Sequence, residues 1–183
     1  MKTTIRGAER VGKNYIARCI NSLKRIGAPL EGWECISCED NGDDSFKCEL
    51  CGFSRVRYIH EMVHDDFPDI IRVGCKCAGV MEGDIIAAEE RERRARNRAG
   101  REKRFMRQKS WIWNNHFGGF YQRDYKDDVY WIKPSGDGCQ YAVWYKDKWC
   151  WKCCGKPITS FSQAAWALYR TIDPPEDVCN ARA

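Results

Sequence analysis

The stretch CELCGFSRVRYIHEMVHDDFPDIIRVGCKC, residues 48–77, begins and ends with a pair of cysteines. Two thiolates separated by two residues on a tight turn, as Cys48 and Cys51 are, can both bind one Zn²⁺ at about 2.3 Å. Gly52 follows the first pair and allows the chain to reverse there. If both pairs bind the same ion, the ion joins the ends of an intervening pair of strands. The stretch therefore predicts a small module whose fold is fixed by a metal.

The upstream pair Cys35 and Cys38 leaves the assignment of ligands open. It could share one ion with Cys48 and Cys51 in a compact ribbon, or bind a second metal together with a cysteine from the C-terminal part of the chain. The candidates there are Cys150, Cys153 and Cys154. A third arrangement has two ions, with Cys35, Cys38, Cys48 and Cys51 on one and His60, His64, Cys75 and Cys77 on the other. In each arrangement, clustering in close pairs predicts metal binding rather than ordinary buried thiols.

Residues 60–64, HEMVH, match the H-E-x-x-H pattern of zinc hydrolases. In those enzymes a helix brings both histidines to one metal, while the glutamate, here Glu61, activates a water. The alternating side chains between Gly52 and Pro68 favour a strand instead. In a strand, His60 and His64 lie roughly 13 Å apart, which is too far for one ion. A metal-dependent hydrolase is therefore the least favoured prediction, and His60 is expected near the metal as a hydrogen-bonding neighbour or as a ligand.

The whole sequence predicts an α+β protein with an N-terminal helix, a zinc-ribbon-like module, a long basic helix and a small C-terminal antiparallel sheet covered by one helix. Apolar residues recur at helical spacing over residues 5–26. The polar segment 84–110 is predicted to be one helix capped by Asp84. The helix at 160–172 begins with a capping box of Ser160 and Gln163. The predicted divisions are residues 1–30, 31–83, 84–110 and 111–173, followed by a tail at 174–183.

Positive charge is concentrated in the predicted basic helix. The chain has a formal net charge of +5, and residues 89–109 contain ten Arg or Lys against four Glu. Exposed arginines can neutralise phosphates, which predicts DNA or RNA as a partner. The alternatives are an acidic protein surface as partner, or a solvated helix held by pairs such as Glu89–Arg93 and Glu90–Arg94. The candidate partner-binding residues are Arg93, Arg94, Arg96, Arg98, Arg101, Lys103, Arg104, Arg107 and Lys109.

Aromatic residues dominate the chain after Ser110, where seven of the eight tryptophans lie. Aromatic side chains on a sheet usually form its core, but they can also stack on unpaired bases. Strand alternation cannot direct all of them inward, so some are expected on the surface. Interspersed lysines, such as Lys133 and Lys148, are compatible with nucleic-acid binding.

Residues 46–135 resemble an uncharacterised family of bacterial and phage proteins. The motif is C-E-L-C-G, then R-Y-[VI]-H-x-M-x-H, then V-G-C-x-C-A-G-x-M-E, followed by a basic helix and a G-x-[FY] strand segment. This chain has CELCG, RYIHEMVH, VGCKCAGVME and FGGFY at those places. The resemblance implies metal ligands at Cys48, Cys51, Cys75 and Cys77 and an origin in a phage or mobile element. It implies no activity, and Cys35 and Cys38 are not part of the motif.

These observations predict a zinc-stabilised, non-catalytic nucleic-acid-binding protein. The alternative is a protein-binding inhibitor, an anti-defence factor acting on a host complex that processes nucleic acid. Paired cysteines without an export signal predict reduced thiols and a cytoplasmic location. No run of eighteen apolar residues occurs, so no membrane span is expected.

Overall fold

The computed structural model describes residues 5–42 and 46–174, apart from the side chains of Gln108 and Phe117. The chain divides into two units, which we call the N-terminal unit (residues 1–97 with 176–183) and the C-terminal unit (residues 98–175). The boundary lies within the predicted basic helix. The predicted tail at 174–183 lies outside the described residues, except for Pro174.

The N-terminal unit contains one antiparallel sheet and three helices. Its strands are β1 (Glu34–Asp40), β2 (Tyr58–His64) and β3 (Phe67–Val73), in the order β1-β2-β3. Its helices are α1 (Lys13–Arg25), α2 (Cys75–Glu82) and the first part of α3 (Ile85–Phe105), preceded by a 3₁₀ turn at Ala8–Arg10. The helix predicted at 5–26 begins only at Lys13, because Gly12 before it has a φ of +77°, outside the helical range.

The core of the N-terminal unit lies between the sheet and the helices. Alternate residues of β2, from Tyr58 to Met62, are buried, as a strand with one covered face requires. Met62, Val73 and Leu23 are fully buried and belong to the same apolar cluster as four cysteines. Those four are Cys19, Cys35, Cys48 and Cys77. The core is therefore built around the cysteines.

The C-terminal unit is a five-stranded antiparallel sheet in chain order, with one helix packed on β6 and β7. The strands are β4 (Ile112–Asn114), β5 (Phe120–Tyr125), β6 (Asp128–Pro134), β7 (Tyr141–Tyr145) and β8 (Lys148–Cys150). A two-stranded ribbon of β9 (Lys152–Cys153) and β10 (Lys156–Pro157) precedes α4 (Phe161–Ile172), and 3₁₀ turns lie at Gln108–Ser110 and His116–Gly118. Among the described helices, none is long and apolar enough to cross a bilayer.

Local sequence explains the turns and the cap of this unit. The β5–β6 and β7–β8 hairpins each close on a Lys-Asp pair with both φ angles positive, as two-residue type I′ turns require. Helix α4 begins where Ser160 Oγ accepts a hydrogen bond from the amide of Gln163, as the predicted capping box specifies. The Gln163 side chain reaches back to the amide of Thr159 at 2.9 Å. The predicted α+β class is confirmed, whereas α3 ends at Phe105, before the predicted Ser110.

Two helical glycines should respond oppositely to alanine. A Cβ at Gly79 would lie 2.6 Å from the Cα of Ile85, whereas the nearest atom to one at Gly100 is the mobile end of Arg104, at 3.7 Å. We expect Gly79→Ala to lower the free energy of unfolding by about 1–3 kcal/mol, because backbone atoms must shift. Gly100→Ala should raise it by roughly 0.5–1 kcal/mol, because alanine loses less backbone entropy in a helix.

The free energy of unfolding of both variants is measured by following circular dichroism at 222 nm during chemical unfolding. Equal effects of the two substitutions would contradict the close packing of α2 against Ile85.

Candidate metal centres

The CELCG segment forms a tight turn that holds two thiols. The Cys48 amide donates to the carbonyl of Phe53 at 2.8 Å, and the Gly52 amide donates to the Cys48 carbonyl at 2.9 Å. Gly52 has a φ of +74°, a conformation that glycine adopts without strain. Backbone amides of Cys51 and Gly74 also hydrogen-bond to the Cys48 sulfur. The turn is therefore shaped to present sulfur atoms with backbone donors around them.

Two helices bring further thiols to this turn. The Sγ of Cys77, in α2, lies 3.7 Å from the Sγ of Cys48 and 3.7 Å from the Sγ of Cys19, in α1. The sulfurs of Cys48, Cys51 and Cys77 all lie within 4.8 Å of one another. In a tetrahedral site with Zn–S bonds of about 2.3 Å, neighbouring sulfurs are about 3.8 Å apart. We call Cys19, Cys48, Cys51 and Cys77 the thiol cluster; the spacing of Cys48, Cys51 and Cys77 fits a metal ion, and Cys19 lies next to Cys77.

A tyrosine borders the thiol cluster. The Tyr15 hydroxyl lies 3.0 Å from the Sγ of Cys77 and 3.9 Å from the Sγ of Cys51. Tyr15 and Cys19 are four residues apart in α1, so they share one face of the helix. Burial and the hydrogen bond with Cys77 raise the pKa of Tyr15, so the phenol keeps its proton and can donate it to sulfur.

Contacts between the sulfur atoms shift the pKa values of Cys19, Cys48 and Cys77. Hydrogen bonding to Cys77, together with burial, raises the pKa of Cys48, and hydrogen bonding to Cys19 raises that of Cys77. The pKa of Cys19 is lowered, chiefly by its hydrogen bond with Cys77. Several thiolates can coexist in so small a volume only when a cation supplies the compensating charge. The thiol cluster could therefore hold a soft divalent metal ion.

A second group of potential ligands consists of His60, Cys75 and Glu92, whose ligand atoms all lie within 4.8 Å of one another. His60 is fully buried on β2, and burial lowers its pKa to about 4. Its imidazole is therefore neutral near pH 7, as a metal ligand must be. Burial raises the pKa of Cys75 to about 12, with Glu92 and Glu89 adding to the effect. This group could also hold a metal ion.

The helix explains why Cys75 and Cys77 belong to different groups. Residues two apart in an α-helix project about 200° from each other around its axis. The resemblance implied that Cys48, Cys51, Cys75 and Cys77 share one ion. The structure brings Cys48, Cys51 and Cys77 together and places Cys75 beside His60 and Glu92.

The HEMVH residues do not converge on one point. They lie on β2, as the alternation predicted. His64 accepts a hydrogen bond from the Asp66 amide and donates to the Glu31 carbonyl, so both ring nitrogens are occupied. Glu61 accepts hydrogen bonds from Ser37 Oγ at 3.0 Å and from Arg72 at 3.1 Å. The arrangement needed for a zinc protease is absent from these described residues.

The other predicted cysteines are divided between the two units. Cys35 and Cys38 flank His60 in the N-terminal unit, whereas Cys150, Cys153 and Cys154 belong to the C-terminal unit. The sulfurs of Cys153 and Cys154 are 3.9 Å apart. Within the described residues, none of these five completes a group of three mutually close ligand atoms.

The predicted partner-binding residues lie in α3 and just beyond its end. Four of them bind acidic or carbonyl groups: Arg93 binds Glu90, Arg96 binds Glu92, and Arg98 and Arg101 both bind Asp173. Seven of the nine are exposed, and they are Arg93, Arg94, Arg96, Lys103, Arg104, Arg107 and Lys109. Four of these seven lie in the C-terminal unit. Exposed cations therefore occur along α3 as well as beyond its end.

Sequence reasoning did not find Cys19, Tyr15 or Glu92. Cys19 stands alone in a helix and lacks the paired spacing that marks the other cysteines. Glu92 is one of four acids in a basic segment, where the pattern indicates an ion-pair partner. The four-residue spacing of Tyr15 and Cys19 on one helix face was the available signal.

Replacing Cys77 should abolish metal binding at the thiol cluster. We expect Cys77→Ser to lose that metal and to unfold the N-terminal unit, because Cys77 lies within 3.7 Å of both Cys19 and Cys48. Glu61→Gln should keep the full metal content, because the Glu61 carboxylate binds Ser37 and Arg72. Elemental analysis of the two purified variants measures their metal content. Loss of metal in Glu61→Gln with retention in Cys77→Ser would restore the hydrolase interpretation.

Comparison of this chain with known proteins found no match. No protein-family model, no curated protein and no solved structure matches this chain. The resemblance based on the CELCG, RYIHEMVH and VGCKCAGVME motifs therefore stays a prediction.

Proposed function

We propose that the protein is a zinc-stabilised, non-catalytic protein that binds single-stranded nucleic acid through its C-terminal unit. The observation that carries the proposal is a row of three tryptophans on one face of the five-stranded sheet, within a unit of high positive charge. We call Trp131, Trp144 and Trp149 the tryptophan row.

Strand register places the tryptophan row opposite α4. Ile132 pairs with Val143, and both are buried in the cluster that contains the apolar side chains of α4. Because side chains alternate along a strand, Trp131 and Trp144 point to the other face. Trp149 pairs with Trp144 and shares that face. Ring centroids are 5.7 Å apart for Trp131 and Trp144 and 5.4 Å apart for Trp144 and Trp149.

The tryptophan row has the properties of a stacking surface. Each of its three side chains is partly exposed, and Phe120 extends the row with its ring centroid 6.2 Å from that of Trp131. The ammonium group of Lys133 lies 6.0 Å from the centre of the Trp149 ring. Proteins that bind single strands without sequence preference combine aromatic platforms for the bases with cations for the backbone.

The charge of the C-terminal unit supports an anionic partner. Residues 98–175 contain fourteen Lys or Arg and seven Asp or Glu, a net charge of +7. The whole chain has +5, so the N-terminal unit has −2. Several of the cations of the C-terminal unit are exposed, and they include Lys103, Arg104, Arg107, Lys109, Lys146, Lys148 and Lys152. Such a surface attracts phosphates by releasing their counterions.

The N-terminal unit is proposed to be fixed by zinc at the thiol cluster. Structural zinc sites are tetrahedral and closed by four protein ligands, and four thiolates are one such set. With Cys19 as the fourth ligand beside Cys48, Cys51 and Cys77, the ion keeps no position for a water or a substrate, so catalysis at this ion is not expected. Reduced thiols in this number also fit the predicted cytoplasmic location.

Removing the middle ring of the tryptophan row should weaken binding. We expect Trp144→Ala to raise the Kd for a labelled single-stranded oligonucleotide by roughly five- to a hundredfold, because base stacking contributes about 1–3 kcal/mol per base. Trp113→Ala is the matched control, because Trp113 is 45% exposed on the face of the sheet that carries Tyr121. Fluorescence polarisation with DNA and RNA at two salt concentrations measures both variants.

A second set of variants separates charge from stacking. Arg104→Gln and Arg107→Gln should weaken binding to all sequences and reduce the salt slope by about 0.7 for each phosphate that the variant no longer neutralises. Flat titrations of the wild-type protein at low salt would overturn the proposal. The alternative, an inhibitor of a host protein complex, would then remain as a prediction.

A further inference from the structure

We propose that a second zinc centre lies beside the thiol cluster, with Cys38, His60, Cys75 and Glu92 as ligands and with Cys35 orienting the imidazole of His60. This inference concerns the N-terminal unit alone and does not depend on nucleic-acid binding.

A β-bulge brings Cys35 and Cys38 to the same face of β1. Cys35 pairs with Met62 and Cys38 pairs with His60, and the register shifts between Cys35 and Ser37. Residues three apart in a regular strand point to opposite faces, whereas one extra residue in the strand restores a common face. The C-x2-C spacing here therefore lies on a bulged strand rather than on a tight turn of the CELCG kind.

The two thiols lie at different nitrogens of one imidazole. The Sγ of Cys38 is 3.6 Å from Nε2 of His60, and the Sγ of Cys35 is 3.7 Å from Nδ1. The two nitrogens of an imidazole point in different directions, so a single ion can bind only one of them. The other nitrogen then carries the proton and needs an acceptor.

The neighbours of each thiol decide which nitrogen faces the ion. Glu92 forms a group with Cys75 and His60, and its charge also acts on Cys38. Arg91 acts on both Cys35 and Cys38, whereas Glu82 accepts a hydrogen bond from the amide of Cys35. We therefore place the ion on the Nε2 side of the ring, bound by His60, Cys75 and Glu92, with Cys38, 3.6 Å from Nε2, as the fourth ligand.

Cys35 has the hydrogen bonds of a positioning residue. Its Sγ donates to the carbonyl of Ser37 at 3.1 Å, and its amide donates to Glu82 at 3.2 Å. Its sulfur can accept the Nδ1 proton of His60, which fixes the tautomer that leaves Nε2 for the metal. The buried ion pair between Glu82 and Arg91, with both side chains 12% exposed, holds this side of the site in place.

The donor set suits zinc. Two thiolates, one imidazole and one carboxylate are all ordinary zinc ligands. The two thiolates and the carboxylate together carry three negative charges, one more than the two positive charges of Zn²⁺. The guanidinium of Arg96, 2.5 Å from Glu92, and that of Arg91 supply positive charge nearby. The site therefore has both the ligands and the charge balance that a zinc ion requires.

Paired serine variants test the assignment on the full-length protein. We expect wild-type protein to contain two zinc ions per chain by elemental analysis and native mass spectrometry. Cys38→Ser should lose one of them, whereas Cys35→Ser, on the same strand and beside the same ring, should keep both. His64→Asn is a further control on β2 and should also keep both. One ion per chain in the wild type, or loss of an ion in Cys35→Ser but not in Cys38→Ser, would overturn the proposal.

X-ray absorption at the zinc edge tests the ligands without any variant. The thiol cluster and the proposed second centre together supply six sulfurs, one nitrogen and one oxygen, a mean of three sulfurs per ion. If Cys35 bound the ion in place of Glu92, the mean would be three and a half sulfurs per ion. That result would overturn the role assigned to Cys35.

Nitrogen-15 NMR of His60 tests the positioning role. The spectrum should show a protonated Nδ1 and a metal-bound Nε2, and Cys35→Ser should preserve this pattern because its hydroxyl can still accept the proton. Cys35→Ala should disturb the tautomer and weaken zinc binding at this centre by roughly 10–100-fold. An unchanged spectrum and affinity in Cys35→Ala would contradict the role of Cys35.

Discussion

The thiol cluster is the constraint on which the N-terminal unit depends. Its sulfurs come from α1, from the CELCG turn and from the start of α2, and Cys77 lies 58 residues from Cys19 and 29 from Cys48. Bringing such distant segments together costs loop-closure entropy, which a metal ion bound only in the folded state can offset. The apolar core surrounds the cluster, since Cys19, Cys48 and Cys77 belong to the same buried set as Leu23, Met62 and Val73.

Helix α2 connects this constraint to the proposed second centre. Its first turn places Cys77 toward the thiol cluster and Cys75 toward His60. Strand β2 then contributes His60, and the bulge in β1 places a thiol at each nitrogen of the ring. Two ions bound through α2 would fix α1, α2, β1 and β2 relative to one another. A small module can bury few apolar residues, so it gains from such metal ions.

The charges of the two units suggest a division of roles. In the N-terminal part of α3, arginines pair with acids of the same unit, such as Glu82, Glu90 and Glu92. After residue 98 the acids become fewer, and the cations of the C-terminal unit exceed them by seven. Burial of Asp173 opposes its ionisation, yet hydrogen bonds from Tyr169 and Arg101 lower its pKa, so it holds the end of α4 as a carboxylate. We therefore assign the proposed nucleic-acid binding to the C-terminal unit, because fewer of its cations are balanced by acidic residues.

Much of the architecture follows from local sequence. Alternation around HEMVH determined a strand, the Ser160 and Gln163 pair determined the start of α4, and the CELCG spacing with Gly52 determined a tight turn. Each depends on residues within a few positions of one another, where backbone geometry leaves few choices. The excess of arginine and lysine after residue 89 was likewise visible in the sequence.

Only the tertiary structure decided which ligands meet. No other cysteine lies close to Cys19 in the sequence. The spacing of Cys75 and Cys77 suggests a pair of ligands to one ion, but in a helix they project about 200° from each other. Cys35 and Cys38 looked like a turn, but pairing with β2 makes them a bulged strand around His60. For Cys19 and for Cys35 and Cys38 the deciding factor is the packing of segments that are distant in sequence, which spacing along the chain does not encode; for Cys75 and Cys77 it is the helix that contains both.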